Sequence, residues 1–78
     1  MINNEEKLKG IINIILEKNG KRPIEQLNCN LSVRNDLGMD SFDLAELTVR
    51  IEDEFGVDIF EGGIVDTVQQ ILDKINKR

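Results

Sequence analysis

The chain contains no histidine, tryptophan or tyrosine, and it has one cysteine and one proline. Without histidine there is no side chain that titrates unaided near neutral pH, and a single thiol can close neither a disulfide nor a Cys/His metal set. No paired general acid and base stands out among the remaining residues, so an enzyme is not expected. Cys29 reads as a small apolar loop residue, since nothing cationic adjoins it to stabilise a thiolate. One unpaired cysteine also suits a reducing compartment, and a cytoplasmic location is expected. Long hydrophobic runs are missing too. Ile14 to Leu16 is the longest, far too short to cross a bilayer, and Met1 to Gly10 is too polar for a secretory leader. Basic clusters are scarce in a chain of net charge −5, which argues against nucleic acid as a partner.

What is present is acid, and it is unevenly placed. Asp36 to Asp66 holds ten acids against Arg50 alone, a net of −9, so the flanking segments carry +4 of the total. Such a surface can be merely solvated, or it can steer and orient basic partners. A calcium loop from Asp36 to Glu46 is rejected because its acids lack the alternating ligand pattern, and no metal site is expected.

At 78 residues the chain makes a single domain, residues 1–78, with a core near the lower limit for folding unaided. Leu8, Ile11, Ile12, Ile15 and Leu16 recur at three and four, which predicts an amphipathic helix from about Asn4 to Lys18, stopped by Asn19-Gly20. A long connection from Lys21 to Met39 follows. At that length it needs anchors of its own, for which Ile24, Leu27, Leu31, Val33 and Leu37 are the candidates. Asp40 is a good N-cap for a second helix, Ser41 to Phe55, which Gly56 ends. Two glycines in Glu61-Gly62-Gly63-Ile64-Val65 leave room for one short helical turn at most. A last helix, capped by Asp66 or Thr67, follows with Val68, Ile71, Leu72 and Ile75 on one face. The expected fold is all-α: a small four-helix bundle of three main helices and a short one, with a long first loop.

The second helix carries two apolar strips. Turned at about 100° per residue, Leu44, Leu47, Thr48, Ile51 and Phe55 share one arc and face the core. Phe42, Ala45 and Val49 lie on another side and should be partly exposed, bordered by Glu46, Asp53 and Glu52. An exposed apolar line rimmed by charge suits a partner contact. Ser41 sits at the positive end of this helix, which suits a permanently attached phosphate.

The run Leu37-Gly38-Met39-Asp40-Ser41, with Asp43, Glu46-Leu47, Ile51-Glu52-Asp53-Glu54-Phe55-Gly56-Val57 and the closing Thr67-Val68-Gln69-Gln70-Ile71, resembles the acyl carrier protein family over nearly the whole chain. The resemblance implies that Ser41 is esterified by a 4′-phosphopantetheine arm taken from coenzyme A by a separate transferase, with Asp40 in the position associated with transferase recognition. It implies a carrier that holds acyl groups as thioesters and delivers them to basic-surfaced acyl-transfer or acyl-activating enzymes. Phe42, Asp43, Ala45, Glu46, Val49 and Asp53 are the candidate partner contacts. It also implies an acyl groove, for which Leu47, Val49, Ile59, Ile64 and Val65 are candidates. The carrier is expected to be a monomer serving fatty-acid or related acyl-chain synthesis. A polyketide, aminoacyl or D-alanyl carrier is the alternative, and an unmodified acidic helical interaction module is a third reading. Phe42 stands where the family more often has leucine, and Phe60 where proline is frequent.

Overall fold

Each helix ends where its sequence supplies a partner for the free backbone groups. In the computed structural model, which describes residues 3–61, 63 and 65–76, α1 spans Asn4–Lys18. Its N-cap Asn3 accepts from the Glu6 N–H at 2.8 Å. At its other end the Lys21 N–H reaches the Leu16 carbonyl at 2.8 Å and the Gly20 N–H reaches Glu17 at 3.0 Å. That double closure needs a left-handed residue, and Gly20 supplies it with φ 75°. The helix thus stops at the expected Asn19-Gly20 pair.

α2 runs Ser41–Phe55 behind a reciprocal cap in which Asp40 accepts from the Asp43 N–H and Asp43 accepts from the Asp40 N–H. α3 runs Val68–Asn76. Thr67 Oγ1 accepts from the Gln70 N–H, and Gln70 Oε1 accepts in return from the Thr67 and Asp66 N–H groups. Thr67 is therefore the cap, and Asp66 is left free for another task.

Among the described residues there are three helices. The short fourth helix expected within Glu61 to Val65 is not found among them: Glu61 and Gly63 close hydrogen-bonded turns back to Asp58 and Phe60, while Gly62 and Ile64 lie outside the described residues. The fold is all-helical, and no helix among the described residues is long and apolar enough to cross a membrane.

One core joins the elements. Leu8, Ile12, Ile15 and Leu16 from α1 meet Leu47 and Ile51 from α2 and Ile71 and Ile75 from α3. The connections add Val33, Leu37, Met39, Ile59 and Val65, with Ile24, Leu27 and Leu31 half-buried against them. The long first connection is therefore anchored by the five residues its pattern singled out. It is also held by polar bonds. Asn13 of α1 clasps the Ile24 backbone from both sides, at 2.7 and 3.0 Å. Ser32 is buried and pairs as an isolated antiparallel bridge with Thr67. Its hydroxyl donates to Asp66 at 2.7 Å, and its N–H donates to Asp36 at 2.7 Å. A connection tied at this many points delivers Gly38-Met39-Asp40 to the start of α2 in one geometry.

Candidate functional site

Gly38 makes the last bend before α2 with φ 68°, a conformation that costs any residue with a Cβ about 1–2 kcal/mol. Lys21 fixes the same bend by donating to the Leu37 and Gly38 carbonyls, at 3.1 and 2.8 Å. Ser41 follows as the first residue of α2 and is exposed. The cap closes without it: the Asp40 and Asp43 carboxylates satisfy each other's N–H groups, and the Ser41 hydroxyl is left out of both bonds. Among the described residues the N–H groups of Ser41 and Phe42 also find no acceptor. A free hydroxyl beside two free donors at a positive helix end is a place where a phosphate ester can be carried without cost to the fold.

Next to this serine opens a cleft of about 460 Å³, lined by Arg34, Ser41, Leu44, Ala45, Thr48 and Phe60. Thr48 lines it with its hydroxyl already engaged, donating to the Leu44 carbonyl one turn back at 2.8 Å. Leu44, Ala45 and Phe60 supply its apolar surface, and Arg34 and Ser41 complete the lining. The residues expected from the sequence to line an acyl groove have other surroundings than this cleft. Leu47 and Ile59 are fully buried in the core and Val65 nearly so, whereas Val49 stands out from α2 at 60% exposure. None of the four is part of this lining, and Ile64 lies outside the described residues. Sequence reasoning missed Arg34 as a wall residue and marked Phe60 only as a departure from the family pattern. One signal was available for Arg34, which is the only base between Arg22 and Arg50.

The outer face of α2 has the two-strip character its periodicity predicts. Leu44, Leu47, Ile51 and Phe55 are buried, while Phe42 is 86% exposed and Ala45 and Val49 are open to solvent. The acids around this strip are not equivalent. Asp43 is half-buried and spends both oxygens, one on the cap and one accepting from the Asn19 side chain at 2.7 Å. Glu46 is gripped by Lys18 at 3.0 Å and Arg50 at 2.9 Å. Those two cations, Lys18 first, hold its carboxyl below the ordinary glutamate range. Glu52 and Asp53 are exposed and take part in no ion pair among the described residues, so the unneutralised charge on this face is concentrated at its second half.

Comparison with known proteins agrees with this arrangement. Residues 9–75 match the family model described as phosphopantetheine attachment site. The chain is 38% identical over 80 residues to an acyl carrier protein of Buchnera aphidicola subsp. Schizaphis graminum, covering all of this chain and 96% of that one. It is 36% identical over 84 residues to an acyl carrier protein of Cyanidium caldarium, again covering all of this chain and 96% of the relative. A third relative, acyl carrier protein 3 of Ralstonia nicotianae, is 38% identical over 69 residues, 86% of this chain and 75% of its own length. The chain therefore belongs to the acyl carrier protein family, as a carrier without enzymatic activity of its own that bears a covalently attached 4′-phosphopantetheine and works with acyl-handling enzymes.

Proposed function

We propose that Ser41 is the attachment point of the arm, through a phosphodiester on its hydroxyl, and that Asp40 is read by the transferase that installs it. The observation that carries this reading is the exposed Ser41 hydroxyl at the first position of α2, outside its own cap and beside two unpaired N–H groups. The residues fit a phosphodiester, because helix-start donors favour an anion and the open cleft leaves room for the chain beyond it. The group supplies a terminal thiol that holds an acyl cargo as a thioester.

On this reading the protein's work is delivery. Tethering raises the local concentration of cargo at each enzyme it meets, and an acidic face speeds encounter without making the complex long-lived. The exposed Phe42, Ala45 and Val49 form the apolar part of the docking face. Asp53 supplies its steering charge together with Asp43 and Glu46, of which Asp43 also closes the cap of α2 and Glu46 also pairs with Lys18 and Arg50. We assign the carrier, a single monomeric domain of the cytoplasm, to fatty-acid or related acyl-chain synthesis, with its apolar cleft wall as support.

Incubation of the purified chain with coenzyme A and a broad-specificity phosphopantetheinyl transferase, followed by intact mass, tests the attachment. The parent chain should gain the mass of one arm and Ser41→Ala should gain nothing. No gain on the parent chain with several transferases would overturn the reading.

A further inference from the structure

Arg34 is exposed in the loop opposite the start of α2 and forms one side of the cleft that Ser41 also lines. It is a cation in acidic surroundings, yet among the described residues its guanidinium has no ion-pair partner. Three acids of the connecting segments are bound to other partners. Asp36 accepts from the Ser32 N–H, Asp66 from the Ser32 hydroxyl, and Asp58 from the Phe60 N–H at 3.0 Å. Asp36 and Asp58 each close a local turn and Asp66 ties the segment before α3 to the first connection, while the rest of the cleft wall is apolar apart from the Ser41 and Thr48 hydroxyls. A guanidinium without a counter-ion at the edge of an apolar cleft is matched by an anion with paired oxygens.

We infer that Arg34 binds the phosphodiester carried by Ser41 and so lays the first part of the arm along the cleft wall of Leu44, Ala45, Thr48 and Phe60. This rests on Ser41 being the attachment point. The anion is then held from two sides, by the N–H groups of the helix start and by the guanidinium, and the arm is biased towards one direction of departure. Arg34 is a positioning residue: it touches the tether and takes no part in acyl transfer.

The test uses the arm-bearing protein in three forms, wild type, Arg34→Gln and Arg34→Lys, with arm attachment checked by mass. The readouts are the phosphorus resonance of the phosphodiester and the amide shifts that attachment causes at Ala45, Thr48 and Phe60. In wild type, attachment should move all three amides. Arg34→Gln should bring the phosphorus resonance towards that of free phosphodiester and reduce the amide shifts by half or more. Arg34→Lys should recover part of the effect, because it keeps the charge and loses the paired donors. Identical spectra for wild type and Arg34→Gln would overturn the inference. So would a difference that emerges only when the thiol carries a carboxylate-ended acyl group, which would assign Arg34 to the cargo instead. A failure to load Ser41 at all overturns the attachment reading, whereas loading with unchanged spectra overturns only the role of Arg34.

Discussion

The side-chain amide of Asn19, just past the end of α1, donates a 2.7 Å hydrogen bond to one oxygen of Asp43, whose other oxygen accepts from the Asp40 N–H. One carboxylate therefore caps α2 and ties it to the end of α1, immediately beside Ser41. Asp43→Ala removes both bonds and should cost about 1–2 kcal/mol. Asn19→Ala removes one exposed bond and should cost about 0.5–1 kcal/mol. Because they share a partner, the double variant should fall short of the sum by about 0.5 kcal/mol or more. Urea midpoints of the four proteins decide it, and strict additivity would show that the link contributes nothing.

The pairing of Glu46 with Lys18 and Arg50 predicts a direction in pH. Its folded carboxyl titrates below the ordinary range, so the stability it contributes is present above the unfolded pKa and is lost as pH falls through the folded one. Glu46→Gln should therefore flatten the acid limb of stability against pH and leave the alkaline limb unchanged. Chemical denaturation at a series of pH values checks this, and parallel acid limbs would rule it out.

Gly38 has φ 68°, and a Cβ placed on it would stand 2.8 Å from the Lys21 ammonium. Gly38→Ala should cost about 1–2 kcal/mol from the left-handed backbone alone. It should also displace Lys21 from the Leu37 and Gly38 carbonyls, loosening the approach to Ser41. Hydrogen exchange at Met39 and Asp40 should then rise more than at Ile51, and uniform exchange would contradict it.

Two apolar residues of α2 should separate folding from docking. Leu47 is fully buried, and Leu47→Ala should cost about 2–5 kcal/mol. Phe42→Ala should change stability by no more than about 0.5 kcal/mol while lowering kcat/KM for enzymes that use the loaded carrier. A normal kcat/KM with Phe42→Ala would remove this residue from the docking face.

Charge should act through Asp53 more cleanly than through Glu46, whose reversal also breaks two ion pairs. Asp53→Lys should slow partner turnover without shifting the urea midpoint, and added salt should shrink the difference from wild type. A salt-independent deficit would exclude steering.

Helices α1 and α2 were legible in the sequence to the residue because periodicity and caps coincide: Asn19-Gly20 stops one, and Asp40 with Asp43 starts the other. The exposure of Phe42 and Val49 followed from the same geometry, since a strip turned away from Ile51 cannot reach the core. The cleft was not legible. Its wall combines one side of α2 with Arg34 and Phe60, and where those two loop residues cross α2 is decided by remote ties such as Ser32 to Asp66 and Asn13 to Ile24. Periodicity within a helix carries no information about such crossings. Leu47 and Ile59 are buried in the core, and apolar character alone does not tell a wall from a core.

The Ser41 hydroxyl stays outside the cap of its own helix, and this has a consequence for the protein's life cycle. A scaffold that does not use that oxygen gives up no bond of its own when the oxygen is esterified or freed. Blank and loaded copies then keep the same cap on α2, and machinery that tells them apart must inspect the helix start from outside.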